Sequence, residues 1–180
     1  GGTLKDSDNL VVDLLEDGSR SVRFTPVPAA KTAPFLQELV DRYDDARSVG
    51  SHHPILLIGI LVLDLLTIHP FDDGNGRVAR VLTNALLSEA GYGIGRYISL
   101  EQLIAESSDE YYASLLRSTH GWHDNGHDVW PWLEYFVGLL TDAYKRFEEG
   151  AASGRSTGSK QDRVRDFVLN HASEFFTIGD

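Results

Sequence analysis

The chain has 180 residues, 42% of them hydrophobic, and 27 acidic against 16 basic side chains give it a formal net charge of −11. A chain of this length buries about 70% of its unfolded surface in one domain of ordinary size. It therefore needs no disulfide, and the absence of cysteine permits a cytoplasmic location, which we expect. The negative charge argues against binding to nucleic acid or to an anionic membrane.

Residues 10–25 carry the clearest strand pattern of the chain. Aliphatic residues dominate 10–15, Asp17-Gly18 is a strong turn sequence, and residues 20–25 alternate between polar and apolar side chains. Two prolines follow and end the second strand, because proline cannot donate to a ladder. The pattern predicts a small β-hairpin that caps the core.

The rest of the domain is predicted to be helical, so the expected fold class is all-α with one hairpin. Residues 55–68 contain eleven Ile, Leu or Val; the run is shorter than the ~20 residues of a membrane span and is interrupted by Asp64. It indicates a helix buried on nearly all sides at the centre of a bundle. Pro34 is placed near the first turn of the first helix, and Ser99 and Ser107 are predicted N-caps. The predicted helices cover residues 33–46, 54–67, 75–90, 100–106, 108–118 and 131–149.

Residues 1–150 are expected to form one domain. Residues 151–160 are small and polar, which is typical of a linker. Residues 161–180 become amphipathic again and are expected to begin a C-terminal helical module.

A twelve-residue motif opens the third predicted helix. Gly74 and Gly76 allow a tight turn and a close approach of the backbone to an anion. Their amides, with those of Asn75 and Arg77, would point out of a helix N-terminus, where the peptide dipoles favour phosphate. Arg77 and Arg80 lie on one helix face and can donate forked hydrogen bonds to phosphate oxygens. The motif, residues 69–80, reads His-Pro-Phe-Asp-Asp-Gly-Asn-Gly-Arg-Val-Ala-Arg.

The same motif contains a base and a metal-binding oxygen. His69 is its one side chain whose ordinary pKa suits proton abstraction near neutrality. Asp73 supplies the hard oxygen that Mg²⁺ prefers beside phosphates. The motif therefore predicts phosphoryl-group chemistry on a magnesium-bound nucleotide.

Other loops that bind metals or phosphates fit the motif less well. An EF-hand beginning at Asp72 would have glycine at positions three and five and Thr83 in place of the glutamate at position twelve. A Walker P-loop would need Gly-Lys-Ser/Thr after the glycines. The remaining alternative is an ordinary turn between helices with surface charge.

The motif resembles the signature of the Fic family, His-Pro-Phe-x-Asp/Glu-Gly-Asn-Gly-Arg-x-x-Arg, at every fixed position. Most Fic proteins transfer AMP from ATP to a hydroxyl of a target protein, so the resemblance implies a Ser, Thr or Tyr hydroxyl as acceptor. It implies these roles: His69 as the base, Asp73 as the Mg²⁺ ligand, Gly74, Asn75 and Gly76 as the anion cradle, and Arg77 and Arg80 as the grip on the outer phosphates.

The resemblance also implies partners. Fic proteins have a hairpin flap upstream of the signature that receives an extended segment of the target by edge-strand pairing, and residues 10–25 lie where the flap should be.

Many relatives are held inactive by a helix with the sequence Ser/Thr-x-x-x-Glu-Gly/Asn. The one candidate here is Glu149-Gly150, and Lys145 occupies the Ser/Thr position. The inhibitory helix is then missing, has been removed with an upstream segment, or is supplied by another protein such as an antitoxin. Some relatives continue into a winged-helix module, and residues 161–180 resemble its beginning. We expect no DNA binding by this part alone.

Alternative functions and other candidate residues remain open. The same site could transfer another phosphate-containing group or remove AMP, and a non-catalytic regulatory module is the alternative of a different class. Such a module would be expected to have lost part of the motif, which is intact. The three histidines in residues 120–127 fit no common zinc spacing, so we expect a solvated loop. Tyr111, Tyr112 and Trp122 could stack an adenine, although aromatic residues at helical spacing are more often core.

Overall fold

The computed structural model describes residues 3–14 and 17–153. The described part contains one β-hairpin and six α-helices, so the predicted all-α fold with a hairpin is confirmed. Most of the predicted linker and the whole of the predicted module at 161–180, including its likeness to a winged helix, lie outside the described residues. The elements are β1 (Val11–Leu14), β2 (Arg20–Phe24), α1 (Ala29–Val49), α2 (Pro54–Ile68), α3 (Asn75–Glu89), α4 (Leu100–Glu106), α5 (Ser108–Thr119) and α6 (Trp130–Ser153).

The hairpin forms at the predicted position. β1 and β2 are antiparallel, with Val12 opposite Val22, and an irregularity follows Val11. Gly18 has a φ of 79°, a left-handed conformation that glycine adopts without steric cost. The Asp17 carboxylate accepts a hydrogen bond from the amide of Ser19 at 2.9 Å, which closes the turn.

Helix α2 is the central element of the domain, as its apolar sequence predicts. It packs against α1, α3, α5 and α6, and Ile58 and Leu63 are fully buried. Gly59 lets α6 approach closely, because a Cβ on Gly59 would lie 2.7 Å from Leu133 Cδ2. The indole of Trp132 donates to the Gly59 carbonyl at 2.7 Å and ties the two helices together. The position of α2 therefore fixes where the motif at its carboxyl end must lie.

Helix α1 differs from its prediction. It begins at Ala29, four residues earlier than expected, so Pro34 lies inside the helix and not in its first turn. The reason is a cap from a distant part of the chain. The carboxylate of Asp8 accepts a hydrogen bond from the Ala29 amide at 2.7 Å, and Pro28 occupies the N-cap position. A cap from 21 residues away has no local sequence signal.

The two predicted serine caps have different outcomes. Ser99 caps α4 by accepting from the Gln102 amide at 3.2 Å, as predicted. Ser107 occupies the N-cap position of α5, as predicted, but its side chain makes no capping hydrogen bond to that helix. Its hydroxyl lies 2.9 Å from both the Leu103 carbonyl and the Tyr135 hydroxyl, so it is engaged by the preceding helix and by α6.

Within the described residues, no helix combines the length and the apolar character that crossing a bilayer would require. The aliphatic α2 has 15 residues, and its apolar surface is covered by the neighbouring helices.

Candidate active site

The motif forms the connection between α2 and α3. His69 is the C-cap of α2, with a left-handed φ of 51° and ψ of 61°, and its amide donates to the Leu65 carbonyl at 3.0 Å. Gly74 is the N-cap of α3 and is also left-handed, with a φ of 85°. Residues other than glycine adopt this conformation at a cost of about 1–2 kcal/mol. The packed helices on either side must compensate for that cost at His69, which is typical of functional positions.

The imidazole of His69 is held in one orientation. Its Nδ1 lies 3.2 Å from the Leu66 carbonyl oxygen. A carbonyl can only accept, so Nδ1 carries the proton and the neutral ring keeps the lone pair of Nε2 for another group. The pKa of His69 is lowered, mainly by burial. The hydrogen bond to the Leu66 carbonyl raises this pKa, and the positive charge of Lys5 lowers it. His69 is therefore neutral at physiological pH and can accept a proton on Nε2.

The side chain of Asn75 closes the motif loop. Asn75 is 3% exposed, its Oδ1 accepts from the Phe71 amide at 2.9 Å, and its Nδ2 donates to the Phe71 carbonyl at 2.7 Å. Because both polar atoms of the Asn75 side chain are used in this way, the backbone N–H of Asn75 is the group left to meet an anion.

Helix α3 presents its first amides beside two guanidinium groups. The first amides of a helix have no carbonyl partner within it, and α3 has no side-chain cap among the described residues. A Cβ on Gly74 would lie 3.3 Å from Arg77 Nη2, and one on Gly76 would lie 3.2 Å from Arg80 Nη1. Both arginines thus lie against the glycine backbone of the loop. The arrangement has the polarity that a phosphate group requires.

Asp73 points into solvent and pairs with Arg77, with 2.7 Å between its Oδ2 and Arg77 Nη2. An exposed pair of this kind contributes about 0–1 kcal/mol, so the carboxylate can exchange this partner for a cation at little cost. Within residues 3–14 and 17–153, no cluster of three or more His, Asp or Glu side chains could hold a metal. One carboxylate fits Mg²⁺ that takes its other ligands from phosphates and water.

Arg80 lies at the boundary between the motif and the core. It borders a cavity of about 20 Å³ whose other walls include Leu66 and Phe136, which is too small for a purine. Tyr111 lines the same cavity and is 8% exposed. Burial raises the pKa of Tyr111 to about 12, against the effect of the Arg80 charge. The phenol therefore stays neutral.

The aromatic residues considered for adenine stacking mostly belong to the core. Tyr111 packs edge-on against Trp132 and Tyr135. The indole of Trp122 donates to the Asp64 carboxylate at 2.7 Å. Tyr112 is 46% exposed, but the Arg23 guanidinium lies 4.0 Å from the centre of its ring. The structural role expected from helical spacing therefore explains Tyr111 and Trp122.

The histidine-containing loop contacts the hairpin and α2. His123 Nε2 donates to the Thr25 carbonyl at 2.8 Å, and its ring stacks on Phe24. His127 lies beside Trp122, and its charge partly offsets the effect of burial, which raises the pKa of Asp64. Most of the loop is exposed, as expected.

Two residues at the motif have no signal in the sequence. Lys5 and Asn9 lie far before the loop in sequence, yet the Lys5 amide donates to the Pro70 carbonyl and Asn9 Nδ2 donates to the Phe71 carbonyl. The Lys5 ammonium donates to the carbonyl of Ile68, the last residue of α2. Only the fold brings them there. A short irregular segment without a repeat or a motif gives no local indication of such contacts.

Comparisons with known proteins point to one family. The family model described as the Fic/DOC family matches residues 1–87. The chain is 34% identical over 113 residues to protein adenylyltransferase fic-1 of Caenorhabditis elegans, which covers 63% of this chain and 20% of that protein. It is 33% identical over 91 residues to a Fido domain-containing protein of Dictyostelium discoideum, covering 51% of this chain and 59% of the relative. The chain thus spans only about a fifth of the nematode enzyme.

Solved structures show the same fold. A Fic domain containing signaling protein from Bacteroides thetaiotaomicron aligns with a TM-score of 0.56 and 27% identity, covering 79% of this chain and 53% of that one. A Fic family protein from Desulfovibrio desulfuricans aligns with a TM-score of 0.59 and 20% identity, covering 94% and 54%. At 20% identity the second likeness concerns the fold alone.

Proposed function

The chain belongs to the Fic/DOC family, and from this premise we propose that it is a protein adenylyltransferase, which moves AMP from ATP to a hydroxyl of a target protein. The observation that carries the proposal is the neutral His69 beside an uncapped helix N-terminus with two guanidinium groups. The names of its relatives, protein adenylyltransferases in nematodes and in Nematostella vectensis, support the same activity.

His69 acts as the general base in this proposal. The Leu66 carbonyl holds the proton on Nδ1, so Nε2 accepts the proton of the target hydroxyl. The lowered pKa of His69 keeps the imidazole unprotonated before the reaction. A base held in this orientation loses little entropy when the hydroxyl arrives.

The start of α3 binds the nucleotide phosphates. The amides of Gly74, Asn75 and Gly76 face one side of the anion, and Arg77 and Arg80 donate to the outer phosphates. Because loop and helix are already ordered, these donors neutralise the growing negative charge without reorganisation. Asp73 would hold Mg²⁺, and that ion would supply further charge neutralisation between the phosphates.

Bond formation and cleavage then follow from this placement. The hydroxyl oxygen of the target attacks the α-phosphorus as His69 takes its proton. The bond between the α-phosphorus and the oxygen bridging to the β-phosphorus breaks, and pyrophosphate leaves with that electron pair. The products are an AMP ester on the target, pyrophosphate and a proton on Nε2. Positioning and charge neutralisation supply most of the acceleration in such reactions.

The hairpin would receive the target protein. In a two-stranded sheet each strand has one edge outside the pair, and an extended segment can add to such an edge through main-chain hydrogen bonds. Val12 and Val22 are 40% and 54% exposed on the hairpin and could contact side chains of the segment. A Ser, Thr or Tyr in that segment is the proposed acceptor. An inhibitory helix or antitoxin as a second partner, and a cytoplasmic location, are further parts of the proposal.

Labelling with α-³²P-ATP in the presence of Mg²⁺ and candidate target proteins tests the activity. We expect His69→Ala to reduce labelling about 10²–10⁴-fold, the usual effect of losing a general base, while calorimetry shows ATP binding largely retained. The matched control is His52→Ala, which removes an exposed histidine outside the motif. Equal labelling by the His69 variant and the parent chain would overturn the assignment of the base.

The nucleotide label separates the alternatives. Transfer of the label from γ-³²P-ATP would indicate phosphate transfer, and preference for UTP would indicate another nucleotide. Loss of label from a previously modified target would indicate de-AMPylation. A chain that binds ATP and Mg²⁺ without any of these reactions would be a regulatory binding module.

A further inference from the structure

The segment before the hairpin lies on the loop that contains His69. Lys5 is 4% exposed, although lysine is rarely buried. Its ammonium donates to the Ile68 carbonyl at 3.2 Å and to Asn9 Oδ1 at 2.9 Å. Burying a charged group costs considerable free energy. Packing alone therefore does not explain why a lysine occupies this buried position.

Hydrogen bonds from this segment hold the backbone on both sides of His69. The amide of Lys5 donates to the Pro70 carbonyl at 2.9 Å. Asn9 Nδ2 donates to the Phe71 carbonyl at 3.3 Å. Together with the ammonium, two residues therefore donate to three carbonyls around the base: those of Ile68, Pro70 and Phe71.

We propose that Lys5 is a positioning residue for His69: with Asn9 it holds the carbonyls flanking the base, so that the backbone of His69 stays left-handed and its imidazole keeps its orientation towards the Leu66 carbonyl. The inference rests on the proposed function, because it takes His69 to be the base. Lys5 itself touches neither nucleotide nor target in this scheme. Its contacts reach the reaction only through His69.

The charge of Lys5 has a second effect on the same imidazole. Among the described residues, Lys5 is the one charged group that acts on His69, and it lowers the pKa of His69 in addition to burial. Burial lowers the pKa of Lys5 itself, whereas Asp8 and Asp72 raise it and favour the ammonium form. Removing the positive charge should therefore raise the pKa of His69, so that less of it is in the form that accepts a proton near neutrality.

Lys5→Met tests both effects, because methionine has a similar length and no charge. The control is Lys31→Met, the same change at an exposed position on α1. Titration of the histidine Cε1–Hε1 signals by NMR follows each imidazole without nucleotide or target. His69→Ala identifies the His69 signal among the seven histidines, and thermal unfolding followed by circular dichroism shows that each variant is folded.

We expect the pKa of His69 to rise in Lys5→Met and to stay at the parent value in Lys31→Met. In the labelling assay, kcat should fall about 10²-fold, the typical effect of a small misplacement of a reacting group, and KM for ATP should be unchanged. A folded Lys5→Met protein with an unchanged or lowered His69 pKa, or with parental kcat, would overturn the inference.

Asn9→Leu keeps the test decisive if Lys5→Met fails to fold. It removes the contacts to the ammonium and to the Phe71 carbonyl but leaves the charge of Lys5 in place. We expect a lower kcat with unchanged KM for ATP, and parental kcat would contradict the positioning role. Because the NMR titration needs neither nucleotide nor target, it tests the effect of Lys5 on the pKa of His69 even if the parent chain shows no transferase activity. A parent chain without transferase activity refutes the proposed function, whereas an active parent with no response to Lys5→Met refutes only this inference.

Discussion

Replacing Asn75 by alanine would test how the loop that contains the base keeps its shape. The change removes two hydrogen bonds, at 2.9 and 2.7 Å, to the amide and carbonyl of Phe71, from a side chain that is 3% exposed. The carbonyl keeps its bond from Asn9 at 3.3 Å, whereas the amide loses this acceptor. A lost hydrogen bond costs about 0.5–1.5 kcal/mol and an unpaired buried donor about 1–3 kcal/mol. We therefore expect the free energy of unfolding to fall by about 2–4 kcal/mol, given the usual spread of such effects.

Thermal unfolding followed by circular dichroism measures this loss. In a domain of this size the melting temperature changes by about 2–4 °C per kcal/mol, so Asn75→Ala should lower it by about 4–16 °C. Asn84→Ala is the matched control on the same helix, because Asn84 Oδ1 has no hydrogen-bond partner among the described residues. That variant should change stability by less than about 1 kcal/mol. Equal losses of stability in the two variants would refute the idea that the hydrogen bonds from Asn75 to Phe71 hold the loop.

Two further predictions concern α2. Gly59→Ala should destabilise the protein by about 1–3 kcal/mol, because the added Cβ would lie 2.7 Å from a side-chain carbon of α6. The control is Gly138→Ala, where a Cβ meets nothing within 4 Å; it should instead stabilise the protein by about 0.5–1 kcal/mol. Urea denaturation measures the free energy of unfolding of both variants. Asp64→Asn should raise the melting temperature at pH 7–8, since burial raises the pKa of Asp64 above 3.8 although the bond from Trp122 opposes this. The folded state then binds this proton more tightly than the unfolded state, so the carboxyl group's contribution to stability is full below pH 3.8 and is lost as pH rises through the higher folded pKa. Melting curves from pH 3 to 8 should show the advantage of Asp64→Asn shrinking towards acid, and a constant advantage would contradict the assignment.

The sequence by itself determined the helical elements and the motif. Periodic apolar residues placed five of the six helices within two residues of their observed starts, and the aliphatic run at 55–68 correctly predicted the central helix. These signals are local, because a helix is specified by neighbours three and four residues apart. The motif is also contiguous in sequence, so its residues could be recognised, and their roles proposed, without a fold.

Contacts between distant segments were decided only by the tertiary structure. Asp8 caps α1 from 21 residues away, and the early helix start that placed Pro34 in the interior followed from it. Asp64 interrupts an apolar helix and has its partner, Trp122, 58 residues later. Lys5 lies in an irregular segment, yet it is buried beside His69. A side chain's burial and its partners depend on which elements pack together, and that packing brings together residues that no periodicity or spacing relates.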